Sequence, residues 1–203
     1  MFIKEYVQLL FPWLLVVLVI FSIGSRTNLC HFGKLWQKIC VLLFAAILTL
    51  IPFTGLSLAE YLLSLNPNFS VGSLALAVVL LWPKLFDKPL LSERYLAVFC
   101  LWNVLFSLGL FSSYLGMIPY DIYALGYGFS AVFLLMALIT FIVIWKWPPL
   151  SYIFLAYIAS FNLRLLPSPN FFDYITDGFL FLMSLGLLFA LGLPRRWSFM
   201  PQR

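Results

Sequence analysis

Chemistry in this chain would have to come from very few side chains. Glu60, Asp121, Asp173 and Asp177 are four of only seven acids, and Arg164 stands among apolar neighbours in Ser160-Phe161-Asn162-Leu163-Arg164-Leu165-Leu166. Carboxylates gathered from separate loops could hold a cation, the hydroxyls of a sugar or a proton on a relay path. Paired with a guanidinium that grips phosphate, Glu60 or Asp121 could serve as the base of a transferase acting on a lipid-linked or sugar substrate. The rings of Tyr61, Tyr120, Tyr123, Tyr127 and Tyr174 lie close by in sequence, and aromatic rings beside carboxylates line many carbohydrate and quaternary-amine sites.

Each of these residues also has a structural reading. Asp173 and Asp177, at i and i+4, sit where the last helix begins, so the positive end of its dipole accounts for both. For Glu60 and Asp121 the capping and ligating readings both stay open. Arg164 is expected to pair with one of the four carboxylates, the alternative being a side chain that snorkels to lipid phosphates. Asn103, in mid-run within Leu101-Trp102-Asn103-Val104, is expected to bond a neighbouring helix, and Ala156/Ser160 and Gly186/Ala190 read as close-packing faces.

The elements that must position these groups are set by composition. Of 203 residues, 64% are hydrophobic and 9% charged, and mean hydropathy is +1.06. A water-soluble chain needs far more polar surface, ~25% charged residues being ordinary. The expectation is therefore an all-α polytopic transmembrane bundle, a single transmembrane domain over 1–203. Apolar runs near the ~20 residues that cross a bilayer fall at 7–24, 39–58, 69–82, 95–114, 126–147, 150–166 and 178–193. Some are short, so six or eight crossings are the alternatives to seven.

Charge gives an independent check, since Lys and Arg accumulate in short cytoplasmic loops. Seven spans place ten of the 12 basic residues on one side, in Arg26/Lys34/Lys38, Lys84/Lys88/Arg94, Lys146 and Arg195/Arg196/Arg203. The other side receives Lys4 and Arg164 together with Glu5, Glu60, Asp121, Asp173 and Asp177. That split predicts an outer N-terminus, a cytoplasmic C-terminus and a bacterial inner (plasma) membrane location. The candidate polar cluster then faces outward. Lys4 beside Glu5 and the absence of an Ala-x-Ala site argue that the first run is an anchor rather than a cleaved signal. Prolines such as Pro83, Pro89, Pro148 and Pro167 fall at expected span ends, while Pro12 and Pro52 lie inside apolar runs. Asn66-Pro67-Asn68-Phe69 and Ser168-Pro169-Asn170-Phe171 form a faint echo, explained by shared use of Asn at a helix entrance.

The net charge of +5 is scattered without a basic stripe, which excludes nucleic acid as a partner. Cys30, Cys40 and Cys100 lack CxxC spacing and His31 is the only histidine, so neither a metal site nor any other cofactor is expected. HExxH, GxSxG, Walker A and GxGxxG are absent. Three function classes survive, in order. First is a non-catalytic accessory or assembly subunit of an inner-membrane complex, whose partners are membrane lipids and other subunits. Next comes a small transporter or lipid-handling protein, and last the transferase already outlined, with its lipid-linked or sugar ligand at the outer face.

Overall fold

The computed structural model describes residues 2–27, 34–127 and 131–192, which are mainly helical, with one short hairpin and several loops. Cys30, His31 and the basic residues Arg195, Arg196 and Arg203 lie outside the described residues. The chain divides into two compact units, Met1–Phe69 with Ser73–Leu90, and Ser70–Gly72 with Leu91–Arg203.

The first unit contains α1 (Phe2–Thr27), α2 (Leu35–Leu50), a hairpin of β1 (Pro52–Phe53) and β2 (Leu56–Ser57), α3 (Leu58–Leu65) and most of α4 (Val71–Phe86). Its core gathers Val16, Val17 and Phe21 of α1, Val41 and Ala45 of α2 and Leu81 of α4. The stripes recur at helical spacing, so each helix turns one apolar face inward. Trp13 donates its indole N–H to the Leu42 carbonyl at 3.0 Å. Phe11 stacks on Phe69 with ring centroids 4.3 Å apart. Lys38, 7% exposed, keeps its charge satisfied by donating to the Leu85 carbonyl at 2.7 Å and the Asp87 carboxylate at 3.1 Å.

The apolar run 39–58 does not form one helix. Pro52 lacks the N–H a helix would use and forces the preceding Ile51 out of the helical region, to φ −66 and ψ 126. Thr54 and Gly55 then adopt positive φ, 53 and 99, which suits the two-residue turn of a right-twisting hairpin. Pro52 pairs with Ser57 and Phe53 with Leu56. Pro83, expected at a span end, lies inside α4.

The second unit holds α5 (Glu93–Tyr114), a 3-10 turn (Tyr123–Gly126), α6 (Ala131–Lys146), α7 (Pro148–Asn162), α8 (Phe172–Ile175) and α9 (Gly178–Gly192). The most extensive pairings are α5 with α9 and α6 with α7. Ser92 caps α5 by accepting the Tyr95 amide, and Pro148 starts α7 where its missing N–H is harmless. An aromatic cluster of the buried Phe133, Phe171 and Tyr174 with the half-buried Phe161 has ring centroids 5.0 to 5.9 Å apart. Gly186 has open space where a Cβ would stand, so no described residue of another helix approaches closely there.

Among the described residues, two helices are long and apolar enough to cross a membrane, Tyr6–Ser25 within α1 and all of α5, with mean hydropathies of 2.4 and 1.8. The helices Leu35–Leu50, Val71–Phe86, Ala131–Lys146 and Gly178–Gly192 are apolar but shorter. At 1.5 Å per residue, 16 residues give about 24 Å against a hydrocarbon core of ~30 Å.

Candidate functional site

Glu60 belongs to the first unit, and Asp121, Arg164, Asp173 and Asp177 to the second. Glu60 is the third residue of α3. Its carboxylate accepts the Ser57 amide at 2.6 Å and the Ser57 hydroxyl at 2.8 Å, while the Glu60 amide donates to Ser57 Oγ at 3.2 Å. Ser57 and Glu60 are three apart, the spacing of a reciprocal capping box. Hydrogen bonds from the Ser57 backbone, then from its side chain, hold the Glu60 carboxyl below its ordinary value.

The other three acids sit in, or directly beside, two loops that lock together. One carries residues 115–127 and the other 163–177. Gly126 accepts the Phe171 amide at 2.8 Å, Tyr127 bridges Asn170, and the Asn170 amide group donates to the Tyr123 carbonyl at 2.9 Å. A Cβ on Gly126 would collide with Asn170 Oδ1, so the approach requires glycine there. Asp121 accepts the Ala124 amide at 3.1 Å and thereby starts the 3-10 turn. Asp173, in the first turn of α8, receives the Tyr123 hydroxyl on both oxygens, at 2.8 and 2.9 Å. Burial, and then the adjacent Asp173 carboxylate, push the Tyr123 hydroxyl above the ordinary tyrosine value of 10.0. Asp177 accepts the Leu180 amide at 2.9 Å and the Ser70 amide at 2.6 Å, capping α9 and the residue ahead of α4.

Arg164 departs from expectation. It is exposed, its backbone is left-handed at φ 50, and among the described residues it makes no ion pair within 4.0 Å of a carboxylate. Among the described residues, Lys38 and Asp87 do form an ion pair, at 3.1 Å. The reason is local: α7 ends at Asn162, and the Leu163 and Arg164 amides close the last turn on Ala159 and Phe161. The chain then reverses at Arg164 and leaves the guanidinium on the surface. Nearby Tyr174 is raised by burial and by the Asp173 charge, with the Leu166 backbone bond and the Arg164 charge opposing.

Asn103 is fully buried, but its amide group donates to the Phe99 carbonyl of its own helix at 3.0 Å, not to a neighbouring helix. Its Oδ1 has no partner. The two echo segments do share a device: Asn66 Oδ1 accepts the Asn68 amide, Ser168 Oγ accepts the Asn170 amide, and the following Phe69 and Phe171 are both 1% exposed.

Sequence reasoning missed Ser107, Tyr157, Thr176 and Ser184, all buried in the second unit. The signal was present: Cys100, Asn103 and Ser107 recur on one face of α5, and Thr176 and Ser184 stand eight apart. Among the described residues no group of three His, Cys, Asp or Glu could hold a metal. No protein-family profile, curated protein or solved structure matches this chain.

Proposed function

We propose that the chain is a multi-pass inner-membrane protein with seven crossings and a cytoplasmic C-terminus, acting as a non-catalytic accessory or assembly subunit. The observation that carries the subunit reading is the use made of the acids. Glu60, Asp121 and Asp177 accept backbone amides as caps, and Asp173 accepts the Tyr123 hydroxyl. A transferase or cation site needs carboxylate lone pairs turned to a ligand, whereas these serve the fold. The same loop cluster presents Tyr114, Met117 and Tyr120 at 74 to 87% exposure, residue types enriched where proteins dock. The ten-to-two division of basic residues supports the topology.

A second reading, a small transporter, draws support from buried polar side chains in the middle of α5, α7 and α9, including Asn103, Ser107, Tyr157 and Ser184. Such groups inside a membrane segment often mark a pathway.

Native gels of membranes solubilised in mild detergent test the subunit reading. The chain should migrate in an assembly of fixed stoichiometry, and its deletion should deplete the other members of that assembly. Migration as a free monomer, with other membrane complexes unchanged by deletion, overturns it. For topology, cysteine probes at Asn68, Tyr120 and Ser168 should react from outside, and a reporter fused after Arg203 should report cytoplasm. Labelling of any probe only after permeabilisation removes the span count at that loop.

A further inference from the structure

In the second unit α5, α6 and α7 leave a half-enclosed cavity of about 230 Å³ between them. Val98 and Trp102 of α5, Ile139 and Ile142 of α6, and Leu150 and Phe154 of α7 wall it, and no polar atom faces it. Trp102 packs on Phe154 with ring centroids 5.7 Å apart, so these two side chains mark one level. Val98 and Leu150 each come four residues earlier, about 6 Å toward the starts of α5 and α7. The cavity therefore follows the first half of both helices and reaches the α6–α7 junction at Trp147, which also lines it.

That end of the unit is basic. Lys146 closes α6, is exposed, and lines a second hollow of about 250 Å³ that shares Ile142 with the first. Arg94, also exposed, stands one turn before Val98. Among the described residues neither cation makes an ion pair within 4.0 Å. Asp121, Asp173 and Asp177 lie far from this end, in the loops that follow α5 and α7. Glu93 falls on the side of α5 turned away from Val98 and Trp102.

Size and chemistry select the occupant. Apolar cavities of ~150 Å³ stay dry yet take up small hydrocarbons, so a wall without polar atoms rejects water. A partner helix, ~10–12 Å across with its side chains, is too wide for this space. An alkyl chain is thin enough, and at the ~30 Å³ of a water-sized group the cavity holds roughly eight such groups. In a bilayer that chain carries a headgroup, and basic pockets between helices on the cytoplasmic side favour anionic ones. We propose that this groove binds one anionic phospholipid, with an acyl chain in the cavity between α5, α6 and α7 and the phosphate on Lys146 and Arg94. The site rests on the chain's being a membrane protein, and on neither its span count nor its role as a subunit.

Native mass spectrometry of the full chain, freed of lipid in a non-ionic detergent, tests the site. The probes are phosphatidylglycerol and phosphatidylcholine with identical acyl chains. One phosphatidylglycerol should bind per chain, about 25-fold tighter than phosphatidylcholine, since each basic residue contributes about fivefold toward an anionic headgroup. Lys146→Gln, an exposed change that leaves the cavity intact, should weaken phosphatidylglycerol about fivefold and leave phosphatidylcholine unchanged. Val98→Phe places a ring in the cavity and should weaken both lipids. Equal affinity for the two lipids overturns the proposal, as does phosphatidylglycerol binding that Lys146→Gln leaves unchanged; both results stand even if Val98→Phe fails to fold. A dimer that holds no lipid and that Val98→Phe splits would assign the groove to a second copy and overturn it as well. A chain that stays monodisperse in buffer without detergent would remove the membrane reading itself, a result distinct from loss of lipid selectivity in detergent.

Discussion

The Asp177 carboxylate accepts the backbone N–H of Ser70, 107 positions earlier in the chain, at 2.6 Å. Its other oxygen accepts Leu180 at the start of α9, so one side chain satisfies two backbone donors that would otherwise lack partners. Asp177→Ala should therefore cost about two caps, roughly 2 kcal/mol, whereas Asp177→Asn, with a single amide oxygen, should lose about half of that. Thermal unfolding in detergent ranks the three proteins; equal midpoints for Ala and Asn would contradict the double cap.

Tyr123 and Asp173 tie the 3-10 turn to α8. Tyr123→Phe removes a bond to a charged group in a half-exposed setting, with an expected loss of about 1 kcal/mol after solvent screening. The pH dependence has a defined sign. The folded protein holds the Tyr123 proton more tightly than the unfolded chain, so this contribution is complete below pH 10.0 and is lost as pH rises above it. Alkaline unfolding curves of wild type and Tyr123→Phe should diverge at neutral pH and converge above that value.

Gly126 marks where the two loops meet most closely. Gly126→Ala must displace Asn170, disturbing its bonds to the Tyr123 carbonyl and the Phe172 amide, and should cost about 1–3 kcal/mol as other overpacked sites do. Protease cleavage within residues 115–127, followed by mass spectrometry, should accelerate in this variant while cleavage elsewhere stays unchanged.

Among the described residues no carboxylate pairs with Arg164 within 4.0 Å, so its removal should matter little. Arg164→Gln should shift stability by no more than about 0.5 kcal/mol, the range of ordinary surface changes. A loss of ~3–5 kcal/mol would instead reveal a buried ion pair.

The sequence made the helical character and most helix positions legible, because apolar runs and breaker residues act locally. The hairpin at Pro52–Ser57 escaped notice since its residues are themselves apolar, and only Thr54-Gly55 carries the turn. Among the site residues, the capping role of Asp177 was readable from its place before α9, but its bond to Ser70 required the fold. The reach of Arg164 toward an acid was inferred from its apolar neighbours. That inference failed because the end of α7 turns the chain at Arg164 and exposes it, a backbone event that residue types do not announce. The bond between Ser107 and Thr176 was hidden because its partners stand 69 positions apart in the chain.

The most direct test of the central claim is complementation of a deletion strain by the double variant Glu60→Gln, Asp121→Asn. These changes remove charge while keeping an oxygen able to accept the Ser57 and Ala124 amides. If the acids serve the fold, the variant should accumulate in the membrane at wild-type level and restore the strain completely. Wild-type accumulation with lost complementation would show that the carboxylate charges act on a ligand, and would contradict the subunit reading.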